Sequence, residues 1–295
     1  MVKKISASMP GTCGELVQGT IDGRNLLISC PIDMWSEITL YPDSPPVYSH
    51  QLKKVRHAIE HVKRLQQSSE SAGALPKVVR RSALTPGKGM GSSTADVVAA
   101  YYAACLLWTR QASVSEAADI ALQIEPSDST MFSGLTIFDH IHGQRREVIG
   151  NAPELDIIMI DPGGFINTTE FHKKHMQQAM SQAHAEQVRM ALQYVVAGIR
   201  SNDIEQIAKG ATISAYANQA LLPKKHLHEV MQLCEQLGGL GINVAHSGTV
   251  IGILLEPGRI SGRAAWEYVK QRYPAWDVYP TKLISGGVRI GEQAI

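Results

Sequence analysis

Short apolar runs near the N-terminus predict strands. Residues 5–8, 26–29 and 36–41 alternate or cluster hydrophobic positions over a few residues, a length and pattern typical of strands. A proline lies close behind each run and is expected to interrupt it, because proline cannot donate a hydrogen bond to a neighbouring strand. The prolines concerned are Pro10, Pro31 and Pro42.

Spacings of three and four residues predict helices in the same half of the chain. Residues 51–67 collect apolar side chains on one face, with charged and polar residues opposite. The apolar positions are Leu52, Val55, Ile59, Val62 and Leu65. Residues 92–108 are apolar and alanine-rich, as expected of a buried helix. A further helix is expected after Ser113, because Glu116 stands three residues later, at the spacing of a capping box.

The remainder of the chain mixes both patterns. Residues 169–238 carry an almost continuous helical pattern, interrupted at 201–203 and at Pro223, and residues 260–272 predict one more helix. Further strands are predicted at 78–84, 134–139, 156–161, 243–245, 250–256 and 283–290. Strands and helices alternate too irregularly for a doubly wound sheet, so the pattern favours an α+β fold with two lobes.

Composition supports a two-lobed globular protein and argues against several classes of partner. The chain has 295 residues, of which 44% are hydrophobic, and this size favours two domains, 1–152 and 153–295. A net charge of +1, with basic and acidic residues spread evenly, offers no basic stripe to nucleic acid or to a membrane surface. No apolar run approaches the roughly 20 residues of a membrane helix, and no secretory leader is visible.

Cysteine and histidine usage argues against a transition-metal site. The four cysteines lie far apart and form no Cys-x-x-Cys pair, which is typical of reduced thiols in the cytoplasm. The eleven histidines show no His-Glu-x-x-His spacing. We therefore expect a cytoplasmic protein whose partner is a small molecule; the sequence does not indicate its oligomeric state.

The most informative segment is a glycine-rich loop between a predicted strand and a predicted helix. Residues 86–96 read Pro-Gly-Lys-Gly-Met-Gly-Ser-Ser-Thr-Ala-Asp. Alternating glycines let the backbone approach a ligand closely, and the start of a helix directs free N–H groups and the positive end of its dipole at one point. The candidate nucleotide-binding residues are Pro86, Gly87, Lys88, Gly89, Met90, Gly91, Ser92, Ser93, Thr94 and Ala95. The spacing matches neither the P-loop nor the dinucleotide fingerprint.

Three segments together resemble the GHMP small-molecule kinases, the superfamily of galactokinase, homoserine kinase and mevalonate kinase. The glycine loop is similar to the second motif of that family, residues 10–19 to the first, and residues 245–253 to a degenerate third. The resemblance covers nearly the whole chain. It implies an N-terminal domain like ribosomal S5 domain 2, a ferredoxin-like C-terminal domain, and the use of ATP with Mg²⁺.

Within the superfamily, the sequence of residues 10–19 looks most like that of the bacterial L-threonine kinases of the propanediol-utilisation and cobalamin pathway. This implies phosphorylation of L-threonine to O-phospho-L-threonine for the aminopropanol linker of cobalamin. Two alternatives stay open. One is homoserine kinase or another GHMP kinase, and the other is a regulatory protein that binds ATP without catalysis.

Residues 124–134 form the second informative cluster, on a turn expected to face the cleft. The resemblance matches Asp128 to the catalytic aspartate of the family, which would accept the proton of the substrate hydroxyl. An Asx-turn after Pro126 is the structural alternative. Some branches of the family are thought to work without a strong base, so Asp128 could also be an orienting residue. Magnesium prefers hard oxygen ligands. The candidates are Ser93, Asp119 and Glu125, and the spacing does not choose between the two carboxylates.

The candidate substrate-binding residues are Thr12, Glu15 and His246. Glu15 could pair with the ammonium group of an amino acid, and His246 or Arg289 with its carboxylate. Thr12 stands where many family members carry a lysine thought to assist the catalytic base, so a lysine-activated aspartate is not expected here. Lys88, within the glycine loop, could neutralise phosphate instead.

Overall fold

The structure is a computed structural model that describes residues 4–46, 52–66, 74–164 and 182–291. Its strands are β1 (Ile5–Ile21), β2 (Arg24–Tyr41), β3 (Lys77–Ser82), β4 (Leu135–Asp139), β5 (Arg146–Gly150), β6 (Asp156–Asp161), β7 (Gly241–Val244), β8 (Ile251–Leu255), β9 (Asp277–Lys282) and β10 (Arg289–Ile290). Its helices are α1 (Lys53–Gln66), α2 (Ser92–Leu107), α3 (Val114–Ile124), α4 (Gln182–Ser201), α5 (Ile204–Gln219), α6 (Leu227–Gln236) and α7 (Gly262–Arg272).

The described strands form one antiparallel sheet in the order β5-β4-β2-β1-β7-β8-β6-β9. β3 and β10 add to it by pairing with β2 and β1. An antiparallel sheet with helices packed against it confirms the α+β class. The predicted domain division at 152/153 falls between β5 and β6, while the sheet continues across it where Glu15 of β1 pairs with Val244 of β7. That division stays a prediction.

Strands β1 and β2 are far longer than predicted, and two of the three prolines do not end them. Pro10 lies within β1 opposite Trp35, and Pro31 lies within β2 opposite Thr12. The register shifts repeatedly between Pro10 and Val17, so both prolines sit in an irregular stretch. Bulges of this kind leave some backbone groups unpaired, which accommodates a residue without an N–H donor.

The first-half helices bury the faces that their patterns predict. In α1, Val55, Ile59 and Val62 are fully buried, whereas Leu65 is 54% exposed because it lies near the end of the helix. Helix α2 is apolar on all sides and packs against β1, β2, α1 and α3. Ser113 caps α3 by accepting a hydrogen bond from the Glu116 N–H, as the capping-box spacing predicts. This packing fixes the C-terminal end of the glycine loop, where α2 begins.

Two strands at the edges of the sheet were not predicted. β5 holds mostly half-buried residues without apolar alternation, and β9 contains Pro280, which an edge strand paired only with β6 tolerates. The strand predicted at 283–290 is wrong for most of its length. Only Arg289–Ile290 forms a strand there, and Leu283 makes an isolated bridge to Ile32.

The predicted helical region is confirmed from residue 182 onwards by α4, α5 and α6, with breaks at 202–203 and 220–226. Its first part, 169–181, lies outside the described residues. In the described part of the chain, every helix is too short or too polar to cross a bilayer.

Candidate active site

Segments from both halves of the chain enclose a pocket of about 460 Å³. The glycine loop and the start of α2 line it together with the turn after α3 and the loop after β7. Its lining residues are Glu15, Leu27, Lys54, 86–87, 89–94, 125–128, His140 and 246–248. The structure therefore brings together most of the site residues predicted from sequence.

Three glycines give the loop its shape. Gly87, Gly89 and Gly91 have φ angles of 76°, 83° and 65°, a region that other residues occupy only with strain. At Gly91 a Cβ atom would also lie 2.8 Å from Asp128 Oδ2, so the absence of a side chain lets the Asp128 carboxyl group approach the loop. Both the conformation and the close approach require glycine here.

Helix α2 begins without a side-chain cap. Gly91 occupies the N-cap position and makes no side-chain hydrogen bond to the helix. The first N–H groups of any helix lack carbonyl partners within it, so those of Ser92, Ser93 and Thr94 are available at the pocket wall. Together with the helix dipole they form a site suited to phosphate.

Backbone hydrogen bonds join the three family-like segments around this loop. The Thr12 N–H donates to the Met90 carbonyl over 3.0 Å. On the other side, the N–H groups of Thr249 and Val250 donate to the Lys88 carbonyl over 3.0 and 3.1 Å. Gly89 packs so closely on Ala245 that a Cβ atom there would collide with it. The loop is thus held from both sides by main-chain contacts.

Lys88 and Ala95 belong to this segment but do not line the pocket. The Lys88 ammonium lies 2.9 Å from Asp161 Oδ2, on the last residue of β6. Although burial raises the pKa of Asp161, hydrogen bonds from Thr249 and Lys88 bring it below its ordinary value. Lys88 therefore ties the loop to β6, a contact that the sequence did not suggest. Ala95 is buried in α2.

Asp128 lies against the loop, on the turn that follows α3. Its backbone N–H donates to Thr94 Oγ1 over 3.3 Å, which links the turn to the first turn of α2. Burial raises the pKa of Asp128, and the charge of Glu125 raises it further, while hydrogen bonds from Thr94 and Glu15 oppose the shift. A carboxylate with an elevated pKa beside a phosphate-type cradle is a reasonable proton acceptor.

Glu15 is 2% exposed and lies in the irregular part of β1. Its carboxyl group is hydrogen-bonded to Ser29 and to Asp128. Burial raises the pKa of Glu15 well above its ordinary value, and the charge of Asp128 adds to this effect. Glu15 lines the pocket, but its carboxyl group is hydrogen-bonded to another carboxyl group. It is therefore not the isolated anion that the predicted contact with a substrate ammonium group requires.

The side chains of Ser93 and Glu125 converge on one cation, the ammonium group of Lys54. Lys54 Nζ lies 2.6 Å from Glu125 Oε1 and 3.0 Å from Ser93 Oγ, and the Ser93 hydroxyl also donates to Glu125. Asp119 lies outside the pocket lining, where its carboxylate pairs with Arg146. Of the two carboxylates predicted for metal binding, only Glu125 is therefore in position.

This arrangement fits magnesium. Mg²⁺ often uses one or two protein oxygens and completes its shell with phosphate and water. The described residues contain no group of three or more His, Cys, Asp or Glu side chains that could hold a metal on their own. The Ser93 hydroxyl and the Glu125 carboxylate supply two oxygen atoms, as many as Mg²⁺ needs from the protein when phosphate and water complete its shell.

The remaining predicted substrate residues differ in accessibility. His246 lines the pocket with Nδ1 2.7 Å from Gln18 Oε1, and its ring meets His140 edge to face at 5.0 Å. Thr12 does not line it, because its hydroxyl donates to the Gly14 carbonyl and accepts from the Cys30 N–H. Arg289 is also outside the lining and lies over the Trp35 ring.

Sequence reasoning missed several residues of the site. Burial lowers the pKa of His140 to about 4, so its imidazole is neutral in the pocket. Lys224 is buried beneath the third segment and donates to the carbonyls of His246 and Gly248 over 3.2 and 2.8 Å. Burial lowers the pKa of Lys224 to about 7. Neither residue belongs to a motif, so only the packing of distant segments identifies it.

Comparisons with known proteins agree with this geometry. The families described as GHMP kinases N terminal domain and GHMP kinases C terminal match residues 53–138 and 195–275. An L-threonine kinase of Citrobacter freundii is 32% identical over 96% of this chain and 99% of its own length. The L-threonine kinase of Salmonella typhimurium is 30% identical over 96% and 95%.

A solved structure shows the same fold. The homoserine kinase of Cytophaga hutchinsonii superposes with a TM-score of 0.70, covering 98% of this chain and 97% of that protein at 18% sequence identity. The two family matches, the full-length similarity and the shared fold together establish that this chain belongs to the GHMP kinases.

Proposed function

We propose that the protein transfers the terminal phosphoryl group of ATP to the hydroxyl of L-threonine and releases ADP and O-phospho-L-threonine. One observation carries the proposal: the uncapped start of α2, its glycine loop and the Asp128 carboxyl group meet in one pocket. The named L-threonine kinases, which match almost end to end, support the choice of acceptor.

The reaction asks mainly for positioning and charge stabilisation. The N–H groups at the start of α2 would hold the ATP phosphates. The threonine oxygen would attack the terminal phosphorus as the bond to the ADP oxygen breaks, and the hydroxyl proton would pass to Asp128. Proton acceptance of this kind contributes about 10²–10⁴ in rate. Because Asp128 touches the loop at Gly91, it lies beside the expected position of that phosphorus.

Ser93 and Glu125 are the residues that would hold magnesium. When bound, Mg²⁺ neutralises charge on the phosphate oxygens. Lys54 already places a positive charge between these two side chains, so the described geometry accepts a cation there. Lys54 lines the same pocket, and its ammonium group would pair with a phosphate oxygen of ATP.

The acceptor would lie beside His140 and His246, whose rings are in contact in the pocket lining. His246 is held by Gln18 and is suited to a carboxylate or hydroxyl of the amino acid. Threonine carries its hydroxyl on Cβ and ends in a methyl group, whereas homoserine carries its hydroxyl on Cγ, a difference worth a few kcal/mol in such a pocket. We also propose the physiological role that the resemblance implies: the protein acts in the cytoplasm, and its product supplies the aminopropanol linker of cobalamin.

The first experiment measures ADP release with Mg-ATP and a panel of L-threonine, L-homoserine, L-serine, mevalonate and galactose. We expect turnover with threonine well above homoserine. Preference for homoserine would replace the acceptor and keep the kinase. No ADP release with any acceptor of the panel, while ATP still binds, would favour a regulatory protein that binds ATP without catalysis.

The Asp128→Asn variant tests the base. We expect kcat to fall by about 10²–10⁴ while the Kd for ATP stays within about threefold. Asp119→Asn is the matched control, because Asp119 lies outside the pocket and pairs with Arg146. Unchanged turnover in Asp128→Asn would remove the residue from the mechanism.

A further inference from the structure

Two carboxyl groups from distant parts of the chain lie in hydrogen-bonding contact inside the pocket. Glu15 lies on β1 opposite Ser29 of β2, and Ser29 exchanges two hydrogen bonds with Ser129, the residue after Asp128. This brings the Asp128 carboxyl group beside that of Glu15, and the two are hydrogen-bonded to each other. Two ionised carboxylates offer only acceptors and repel each other, so such a contact requires a proton on one of them. The pair therefore shares a single negative charge.

The surroundings assign that proton to Glu15. Glu15 is 2% exposed, and its Oε2 atom receives no hydrogen bond from any donor among the described residues. An ionised carboxylate with an unsatisfied buried oxygen is costly, whereas a protonated one becomes a donor. Ser29 hydrogen-bonds Glu15 and Thr94 hydrogen-bonds Asp128, so these two bonds balance each other. Asp128 is better placed to carry the charge because its Oδ2 atom lies against Gly91, at the uncapped start of α2.

The other groups that face the pair do not alter this assignment. Cys13 and Cys30 lie beside Glu15 on β1 and β2, and burial raises the pKa of both thiols, so they stay neutral. Lys54 is the only lysine or arginine among the described lining residues, and its ammonium group is engaged by Glu125. The charge of Glu125 raises the pKa of Asp128, but hydrogen bonds from Thr94 and Glu15 oppose that effect and Glu125 is itself paired with Lys54.

We propose that Glu15 is a positioning residue that remains a neutral acid, donates its proton in a hydrogen bond to the Asp128 carboxylate and aims that carboxylate at the acceptor hydroxyl. This inference rests on the proposed kinase function. It replaces the expectation that Glu15 binds the substrate ammonium as an anion. It also supplies a partner for the base in a chain where Thr12 stands in place of the lysine of other members.

Two substitutions separate this role from the alternatives. In Glu15→Gln the amide can still donate to Asp128, so we expect kcat and the KM for threonine to stay within about threefold. In Glu15→Leu the donor is lost while the bulk is largely kept. We expect kcat to fall about 100-fold with little change in the KM for threonine. The acid limb of kcat moves to higher pH, because Asp128 loses a hydrogen bond that favours its charged form.

Other roles for Glu15 would give different patterns. If Glu15 bound the ammonium group as an anion, Glu15→Gln would raise the KM for threonine at least about tenfold, and the proposal would be wrong. If Glu15 only filled space, Glu15→Leu would keep both its kcat and its pH profile. The melting temperature and the Kd for ATP show whether each variant folds. If Glu15→Leu does not fold, the Glu15→Gln result and the spectroscopic test below still decide between these roles.

A spectroscopic measurement tests the proton without any turnover. The infrared difference spectrum of wild type minus Glu15→Gln, recorded at pH 7 without substrates, should contain the carbonyl band of a protonated carboxyl group. A difference spectrum with only carboxylate bands would overturn the proposal. Because no acceptor is present, this result stands even if the wild-type protein prefers an acceptor other than threonine, so the two proposals fail separately.

Discussion

The glycine loop and the Glu15–Asp128 pair line the same pocket but are built in opposite ways. The loop is a contiguous segment whose shape comes from backbone conformation and whose position comes from main-chain hydrogen bonds to residues 12 and 249–250. The carboxyl pair joins residues more than a hundred positions apart through side chains in a buried setting. A loop suited to phosphate can therefore be local, whereas a buried carboxyl pair depends on the whole fold.

The strongest way to break this contrast is to distort the loop without touching the pair. In Gly89→Val a side chain would collide with Ala245 and the Ser247 carbonyl at a φ angle of 83°. Such strain costs about 1–3 kcal/mol before any collision, so we expect the Kd for ATP to rise about 100-fold. Isothermal titration calorimetry measures this.

Gly258→Val is the matched control for the loop variant. Gly258 has a similar φ angle of 74°, and a Cβ atom there would meet nothing within 4 Å. It should carry the conformational strain and keep its affinity for ATP. Equal loss of affinity in both variants, or none in Gly89→Val, would contradict a cradle made by this loop.

A smaller effect is expected at Glu125, which lies between the two regions. Glu125→Gln keeps the shape of the side chain and removes its charge. Mg²⁺ should strengthen ATP binding in both proteins, and we expect the Mg²⁺ concentration that gives half of this effect to be about tenfold higher in the variant. Asp119→Asn should leave it unchanged, because that carboxylate pairs with Arg146. Should Asp119→Asn weaken the Mg²⁺ response and Glu125→Gln not, the metal site assignment must be reversed.

The last prediction concerns folding stability rather than ligand binding, and it involves Lys224, which holds the third segment against the loop. Burial lowers its pKa from 10.5 to about 7, so between these values the unfolded chain binds more protons than the folded one. Folding stability should therefore rise with pH through this window, by up to about 1.4 kcal/mol per pH unit from this group.

Urea unfolding of wild type and Lys224→Met between pH 6 and 10 measures that contribution. As the pH rises above 7, the free energy of unfolding of wild type should increase relative to that of Lys224→Met. Parallel pH profiles for the two proteins would show that folding does not lower the pKa of Lys224.

Much of the fold could be predicted because each pattern is local. The capping box at Ser113, the buried helix α2 and strand β6 follow from spacing and composition alone. The edge strand β9 and the continuity of β1 through Pro10 could not be predicted, because pairing partners far along the chain decide whether a proline is tolerated.

The candidate site divides in the same way. The glycine loop, Asp128 and Glu125 stand out in the sequence as motif residues, and the structure gathers them in one pocket. Asp119 and Lys88 are equally plausible in the sequence, yet partners on other elements take them away from the pocket. His140 and Lys54 reach the pocket without any sequence signal.

The sequence by itself determined the family, the α+β class and the place of the glycine loop, since the φ angles and free N–H groups of such a loop are properties of consecutive residues. Only the tertiary structure decided which acidic residues face the pocket, which cation sits between Ser93 and Glu125, and that Glu15 meets Asp128. The physical reason is that burial, pairing and proton affinity depend on neighbours in space, and those neighbours come from segments far apart in the chain.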